Sequence, residues 1–367
     1  MRPLSSPIRP YAWGSRTAIA SLQGRPVPSE GPEAELWIGA HPGDPSTLDG
    51  ASLADLITAE PDRLLGPAVA ERFGARLPYL LKVLAAAAPL SLQAHPDSAQ
   101  AQAAFAAGHP SYVDAYHKPE MLVAVSDFVA LCGFRDPALS AAAFDLFELD
   151  VLKPVVFALH GGDLRAAMET LIGLPPSVVD EAVAAPGAPE LARQLATFYP
   201  GDPGVLVALL LNHVTLAPGE AIWMPAGNLH AYLDGTGVEI MAASDNVLRG
   251  GLTPKHVDVP ELLRVLRFEA LDDPVVPAQA VAPGVVTWPA PIAEFALHRV
   301  RPDEAGGAVT LPLAGPRVVL CLSGEVSADD GAGAVRLSGG YAAFGAAGPS
   351  PVTLTGAGEA YVASVPA

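Results

Sequence analysis

The sequence predicts a mainly β protein in which one block of helices interrupts two β-rich regions. From about residue 213 onward, short strand-like runs are broken by Gly, Pro and Asp, and "RVVLCLSGEVSADDGAGAVRLSGGYAAF" alternates as strand, turn and strand. Residues 137–212 instead carry apolar residues at three- and four-residue spacing, as in "DLRAAMETLIGL", which is typical of helices. Residues 1–135 mix short apolar runs with turns. Sandwich or barrel units are the natural architecture for such β-rich segments.

Length, charge and cysteine content narrow the class of protein. A chain of 367 residues is long enough for two or three folding units. Its net charge of −18 argues against a nucleic-acid or anionic-membrane surface, because either needs a basic face. Cys132 and Cys321 lie far apart without a CxxC spacing, so neither a disulfide framework nor a thiolate metal site is indicated. The N-terminus has no apolar targeting region and no long apolar span follows. We expect a cytoplasmic protein with no nucleic-acid or membrane partner.

One histidine motif stands out in "GEAIWMPAGNLHAYLDG", residues 219–235. The spacing of Gly219, Pro225, Gly227 and His230 resembles the second motif of the cupin family of small β-barrels, with Asp234 where that motif often has Asn. The glycines and the proline would turn one strand into the next, and the histidine would then point into the mouth of a barrel.

The residues after this histidine predict a hairpin. Asp234 and Gly235 lie between strand-like flanks, which favours a two-residue loop. Counting outward from that loop places His230 opposite Glu239, on the same face of the sheet. A longer loop around Gly237 would shift this register.

Three further polar residues upstream have the spacing of metal ligands. Gln93 and His95 are two apart on a strand-like run, so they project to one face. Lys118 and Glu120 project together in the same way, because the proline between them favours an extended chain. With His230, an amide, two imidazoles and a carboxylate would form an N/O site for zinc that leaves room for a substrate oxygen. Manganese, iron and cobalt remain alternatives.

The basic residues cluster around these candidate ligands. The chain has only four lysines, and Lys82, Lys118 and Lys255 lie in the β motifs. Arg249 and Lys255 follow shortly after the histidine motif in "SDNVLRGGLTPK". A small basic pocket beside a metal is what a sugar phosphate requires, above all in an acidic protein.

Together these motifs resemble the type I phosphomannose isomerase family. The resemblance covers nearly the whole chain and rests on "YAWGS" (11–15), "AELWIGAHP" (34–42), "LSLQAHPD" (90–97), "HKPEM" (117–121) and "NLHAYLDGTGVEIMAASDNVLRGGLTPKHVD" (228–258). It implies a cupin (jelly-roll-like) β-barrel domain with one zinc ion at residues 1–136 and 213–262, an inserted helical domain at 137–212, and a C-terminal β-barrel domain without metal ligands at 263–367. It also implies interconversion of mannose 6-phosphate and fructose 6-phosphate, within carbohydrate metabolism and GDP-mannose biosynthesis. A monomer is expected.

The resemblance implies a role for each matching residue. The zinc ligands would be Gln93, His95, Glu120 and His230. The catalytic or substrate-facing residues would be Arg249, Lys118, Glu239, His117 and Asp245. The remaining pocket residues would be Trp13, Glu35, Lys82, Ser91 and Lys255, of which Lys255 and Ser91 are the expected phosphate contacts.

The reaction needs a base that carries a proton between C2 and C1 of a cis-enediol, and Glu239, Lys118 and His117 are left unranked as participants. Two other functions stay open. A cupin Fe(II) oxygenase would use His95, Glu120 and His230 as a two-histidine, one-carboxylate set, and a sugar-binding cupin would use its metal only for stability. The other six histidines are interpreted as surface or capping residues, although His41 in "GAHP" would also suit a pocket wall.

Overall fold

The computed structural model describes residues 1–366, in which two large antiparallel sheets are separated along the chain by a run of helices. The first part of the chain contains the following elements: β1 (Arg2–Leu4), β2 (Ile8–Arg9), α1 (Ala18–Leu22), β3 (Glu35–Gly39), β4 (Thr47–Leu48), β5 (Ala51–Ser52), α2 (Leu53–Ala59), α3 (Pro61–Leu65), α4 (Pro67–Phe73), β6 (Tyr79–Ala86), β7 (Leu92–Ala94), α5 (Ser98–Ala106), β8 (Glu120–Ala124) and β9 (Phe128–Phe134).

The helical part follows with α6 (Pro137–Asp145), α7 (Lys153–His160), α8 (Leu164–Ile172), α9 (Pro176–Ala184), α10 (Glu190–Phe198) and α11 (Gly204–Val207). The chain then forms β10 (Leu211–Leu216), β11 (Ala221–Met224), β12 (His230–Ala242), β13 (Leu248–Gly251), α12 (Val259–Val265), β14 (Val275–Val276), β15 (Gln279–Ala282), β16 (Val285–Thr287), β17 (Ala296–Val300), β18 (Ala308–Leu311), β19 (Arg317–Asp329), β20 (Ala334–Ser338), β21 (Ala342–Gly345) and β22 (Val352–Ser364). Among the described residues, none of these helices has the length and apolar character needed to cross a membrane.

The two large sheets divide the strands by sequence, except that β1 belongs to the second sheet. The first sheet runs in the order β14-β11-β8-β12-β6-β3-β2 and also contains β7, β9, β10 and β13. The second runs β1-β21-β19-β22-β17-β16-β15 and also contains β18 and β20. The mainly β fold class with intervening helices is therefore confirmed. The domain boundaries stay a prediction. β1, at the start of the chain, pairs with β21 of the second sheet, and β14, which follows residue 262, pairs with β11 of the first sheet.

The helices form where the sequence supplies both caps and an apolar face. The Asp136 and Asp163 carboxylates accept hydrogen bonds from the first turns of α6 and α8, which satisfies amide groups that have no partner within the helix. Their apolar faces join one buried cluster that includes Met168 of α8 together with Leu92 of β7 and Leu131 of β9. This cluster packs the helices against the sheet that carries the histidine motif.

The hairpin predicted at Asp234 and Gly235 is wrong. Residues 230–242 form the single strand β12, whose first half pairs with β9 and whose second half pairs with β6 and β8. The register with β9 shifts between Tyr232 and Asp234, and Gly235 has a φ of +119°. A Cβ at Gly235 would lie 2.6 Å from the Asp127 carbonyl oxygen, so the glycine permits a close strand approach rather than a reversal.

Side chains of both sheets share a second buried cluster. It contains Ile38 and Leu81 from the first sheet, and Phe295 and Leu320 from the second-sheet region. The fully buried Tyr79 hydroxyl donates hydrogen bonds to the carbonyl oxygens of Pro316 at 3.3 Å and Ala363 at 3.1 Å. The sheets are therefore joined by apolar packing and by one polar bridge.

Replacing Tyr79 by Phe should lower the free energy of unfolding by about 1 kcal/mol, because two buried carbonyl oxygens lose their donor while the ring stays packed. Chemical denaturation with a midpoint and slope analysis measures this change. Tyr341→Phe, at a half-exposed position, is the control that should stay near the unchanged protein. Equal midpoints for the unchanged protein and both variants would show that the Tyr79 hydroxyl does not stabilise the contact between the sheets.

Candidate metal centre and active site

A buried carboxylate, that of Glu120 at the start of β8, lies at the centre of the site. Its Oε2 lies 3.2 Å from the Nε2 of His95 and 3.2 Å from the Nε2 of His230. Its Oε1 lies 3.1 Å from the Nζ of Lys118, and all four side chains are buried. Burial alone would raise the pKa of Glu120, but the attraction of the Lys118 ammonium, the largest opposing effect, helps to hold it well below its usual value. The carboxylate is therefore ionised.

Backbone carbonyl groups orient both imidazoles towards this carboxylate. The Nδ1 of His95 lies 2.8 Å from the Asn246 carbonyl oxygen, and the Nδ1 of His230 lies 3.1 Å from that of Asn228. Because a carbonyl can only accept, each Nδ1 carries the proton and each Nε2 presents a lone pair. Burial also lowers the pKa of His95 to about 4, which favours the neutral ring.

These donor atoms fit a divalent metal ion. One ligand atom from each of His95, Glu120 and His230 lies within 4.8 Å of the others. Two imidazole nitrogens and a carboxylate oxygen, with both rings fixed by hydrogen bonds on their far side, have the composition of a protein metal site. Gln93 lies directly opposite His230 in the pairing of β7 with β12, which puts its amide on the same face of the sheet.

Arg249 extends this row of opposed residues. It pairs with Gln93 across β13 and β7, so Arg249, Gln93 and His230 lie side by side on three adjacent strands. Arg249 is half-buried, and burial lowers the pKa of its guanidinium. Within residues 1–366 no carboxylate forms an ion pair with it. A cation is thus held next to the candidate ligands and free to contact an anionic group.

A second buried ionic cluster lies on the neighbouring strands. Lys82 of β6 is directly opposite Glu239 of β12, and its Nζ lies 2.9 Å from Glu239 Oε2 and 3.4 Å from Glu35 Oε1. The other oxygen of Glu239 accepts a hydrogen bond of 2.6 Å from the Tyr232 hydroxyl. The Tyr232 ring lies 6.1 Å from the His230 ring, so the two clusters adjoin.

The protonation equilibria in this cluster are shifted by burial and by charge. Burial raises the pKa of Glu239, and the nearby Glu120 and Glu35 add to that shift although Lys82 opposes it. For Lys82, burial lowers the pKa but the carboxylates of Glu239, Glu35 and Glu120 outweigh it, and the net shift is upward. Lys82 therefore stays an ammonium, and Glu239 is the carboxylate that is brought closer to a neutral operating range.

His117 and Asp245 contact side chains other than the candidate ligands. The Nε2 of His117 lies 2.7 Å from Glu294 Oε1. The half-exposed Asp245 lies 3.5 Å from the Nε2 of the buried His41. The roles assigned to His117 and Asp245 stay predictions, and His41 is buried rather than a surface residue.

The remaining predicted pocket residues, Ser91, Lys255 and Trp13, stay predictions. Ser91 immediately precedes β7 and Lys255 follows β13, and these two strands leave the sheet at the same end because Gly251 pairs with Leu92. Lys255 is exposed. Trp13 is half-buried and stacks on Tyr11, with ring centroids 5.7 Å apart.

The sequence did not predict several residues of the site. Tyr232 follows His230 by two positions on a strand, and this alternation is a signal that could have identified it. Trp37, whose Nε1 donates a 2.7 Å hydrogen bond to Glu35, has the same relation to Glu35. Asn246 contacts His95 through its backbone, which no side-chain pattern reveals.

Comparisons with known proteins agree with this geometry. The model of the phosphomannose isomerase type I catalytic domain matches residues 1–137. The mannose-6-phosphate isomerase of Escherichia coli K12 is 38% identical, covering 98% of this chain and 98% of that protein, and the human one is 34% identical, covering 89% and 88%.

Solved structures extend the similarity to three dimensions. A variant of phosphomannose isomerase from Salmonella typhimurium superposes with a TM-score of 0.90 at 32% identity, covering 100% of this chain and 99% of that chain. A mannose 6-phosphate isomerase bound with zinc and yttrium gives 0.89 at 32% identity, with both chains fully covered. The chain therefore belongs to the type I phosphomannose isomerase (mannose-6-phosphate isomerase) family.

Proposed function

We propose that this protein is an aldose–ketose isomerase that interconverts mannose 6-phosphate and fructose 6-phosphate at a zinc site. The observation that carries the proposal is the buried Glu120 carboxylate, with two imidazole Nε2 atoms at 3.2 Å and the Lys118 ammonium at 3.1 Å. The relatives at 34–38% identity bear the name of this activity, and a structural neighbour is bound with zinc.

His95, Glu120 and His230 would hold the zinc, and the Gln93 amide is the proposed fourth ligand. A bound zinc ion supplies a Lewis acid that stabilises negative charge on the sugar oxygens. An amide oxygen is a weak ligand, which suits a site that must also accept a substrate oxygen.

The chain's own residues would move the proton and stabilise charge. Glu239 is the best placed base, because its raised pKa brings it closer to the range in which a group both takes and returns a proton. Its hydrogen bonds to Lys82 and Tyr232 fix the carboxylate in one orientation. Lys118 lies beside Glu120 and would stabilise an enediolate oxygen. Lys118 and His117 are the alternative candidates for the base.

The phosphate group would bind at the end of the site where β7 and β13 leave the sheet. Ser91 and Lys255 both lie at this end, and Arg249 lies one register pair away. Arg249 and Lys255 together supply the positive charge that a phosphate dianion needs in a strongly acidic protein. Trp13 and Asp245 are proposed to contact the sugar from the rim.

The two alternative functions receive less support. A two-histidine, one-carboxylate set alone would also suit an iron oxygenase. The buried Lys82–Glu239 pair and the unpaired Arg249 next to the ligands are not needed for oxygen chemistry or for a structural metal. Membership of the isomerase family favours isomerisation over both.

We further propose that the enzyme works as a monomer in the cytoplasm. A phosphorylated sugar is charged and does not cross membranes unaided, so an enzyme that consumes it meets it inside the cell. Light scattering coupled to size-exclusion chromatography tests the monomer, and a mass near 75 kDa instead of the chain's 37.6 kDa would contradict it.

Removing the metal should abolish isomerisation, and adding zinc should restore it. His230→Gln should weaken zinc binding by more than the roughly 10–100-fold seen when an outer partner of a ligand is lost, since it removes a ligand itself. Competition with a chromophoric chelator measures the affinity, and coupled detection of fructose 6-phosphate measures the rate. His160→Gln, at an exposed histidine, is the matched control. Full activity of the metal-free protein would contradict the proposed zinc site.

Glu239→Gln should lower kcat by about 10²–10⁴-fold, because the amide keeps the shape of the carboxylate but cannot accept the proton. Zinc affinity should change little, since Glu239 is not a proposed ligand. Glu261→Gln removes a buried carboxylate that is bonded instead to Arg264 and Tyr112, and it should leave kcat near that of the unchanged protein. A normal kcat in the Glu239→Gln variant would mean that Lys118 or His117, and not Glu239, is the base.

A further inference from the structure

A cleft of about 200 Å³ lies outside the metal centre, between the helical segments of the first part of the chain and the residues that precede Lys118. Its polar walls come from α4 and the turn after it, from α5, from the segment 115–117 and from the loop before β17. The polar lining residues are Arg72, Arg76, Ser98, Gln102, His117 and Glu294. None of the candidate metal ligands lines it.

Arg76 is held in this cleft without a carboxylate partner. Its guanidinium lies over the ring of Tyr116, 3.4 Å from the centroid, and its Nη1 donates to the Ala243 carbonyl oxygen at 3.2 Å. Its Nε is buried and has no hydrogen-bond partner. Burial lowers the pKa of Arg76 against the opposing charges of Asp114 and Glu294. A buried donor of a charged group without an acceptor is unfavourable, and the natural remedy is an anion.

The carboxylates around the cleft form no ion pair with its arginines. Arg72 has no ion-pair partner within residues 1–366, and its guanidinium lies 5.2 Å from the centroid of the Phe73 ring. Glu294 is engaged by His117 at 2.7 Å. The Asp114 carboxylate, which faces the same region, already accepts hydrogen bonds from Ser244, Asp245, Asn246 and Tyr116. Arg72 and Arg76 therefore face two carboxylates, Glu294 and Asp114, that are both already held by other partners.

We propose that this cleft is a second anion site, separate from the metal pocket, that takes the phosphate group of a small molecule on Arg72 and Arg76. The planar guanidinium fork matches phosphate geometry, and the Ser98 hydroxyl and Gln102 amide supply neutral donors beside it. The volume exceeds that of a free phosphate ion, which leaves room for a small organic group.

The cleft is connected to the metal centre by direct contacts. Tyr116 lies under the Arg76 guanidinium, and its carbonyl oxygen accepts a hydrogen bond of 2.9 Å from the side-chain amide of Asn246. The carbonyl oxygen of Asn246 in turn accepts from His95 Nδ1 at 2.8 Å. An anion on Arg76 would hold the segment before Lys118 in place and, through Asn246, the orientation of a metal ligand.

Thermal unfolding of the zinc-loaded protein with inorganic phosphate tests the site, against chloride at equal ionic strength. Phosphate should raise the midpoint, because a ligand that binds only the folded state stabilises it. Arg76→Gln and the more exposed Arg72→Gln should each weaken the apparent phosphate affinity by about tenfold, as expected when one charged hydrogen-bonding partner is lost. A second titration with a phosphorylated sugar alcohol shows whether an organic group adds affinity.

Two controls separate this site from the metal pocket. Arg63→Gln removes an exposed arginine that pairs with Glu60 nearby, and it should leave the phosphate effect unchanged. Lys255→Gln removes a proposed phosphate contact of the metal pocket, and the part of the effect that depends on Arg76 should persist in it. Three results would overturn the proposal. Phosphate could fail to raise the midpoint, it could raise the midpoint of both cleft variants as much as that of the unchanged protein, or its effect could disappear only with Lys255→Gln. The measurement does not use isomerase activity, so it stands apart from the proposed function.

Discussion

The arrangement of the site follows from the need to keep the Glu120 carboxylate ionised inside the protein. A buried charge is tolerated only when partners compensate for the lost hydration. Here one oxygen faces Lys118, and the other faces two imidazole Nε2 atoms, where a bound cation would complete the compensation. These groups come from the residue that follows β7, from the first residue of β12 and from the residue two positions before Glu120 itself. The strands must therefore meet in one register, and the pairing of Gln93 with His230 and of Glu120 with Met241 fixes that register.

A second buried group of charges lies beside the Glu120 cluster. Lys82, Glu239 and Glu35 lie on central strands whose other side chains are almost entirely apolar. Replacing such a group by apolar residues is often neutral or stabilising in proteins, so stability gives no reason for it. Its position next to the Glu120 cluster, with Tyr232 between the two, gives a chemical reason instead. A proton carrier needs a carboxylate with a raised pKa and a fixed orientation. Burial raises the pKa of Glu239 against the effect of Lys82, and hydrogen bonds to Lys82 and Tyr232 fix its orientation.

Much of this centre could be predicted from the sequence, because strand alternation depends only on local residue order. That rule put Lys118 beside Glu120, as the structure has them. It failed at Asp234 and Gly235, where a dipeptide typical of hairpins instead lies within the long strand β12. Glycine permits a tight turn and a close strand approach equally well, and only the neighbouring Asp127 backbone distinguishes them. The predicted pairing of His230 with Glu239 is therefore wrong, because Glu239 pairs with Lys82 and Leu122. The register shift between Tyr232 and Asp234 changes which residues share a face, so Glu239 still lies on the side of the sheet that carries His230. The role of Asn246 was beyond prediction, since its contact with His95 uses a backbone carbonyl.

The C-terminal sheet contributes to the site without supplying a candidate ligand. Its apolar residues pack against β3 and β6, the strands that carry Glu35 and Lys82, and Tyr79 of β6 is bonded to its backbone. Its Glu294 reaches the segment before Lys118 and bonds His117 there. The same segment is bound from the other side by Asn246, whose amide donates to the carbonyl oxygens of Asp114 and Tyr116. Lys118 therefore extends from a short piece of chain that is restrained on one side by the second sheet and on the other by the loop holding His95. Asn246 acts on the backbone before Lys118, and Glu294 acts on the side chain of His117. The position of the Lys118 ammonium therefore depends on how the second sheet is docked as well as on the strand that carries Glu120.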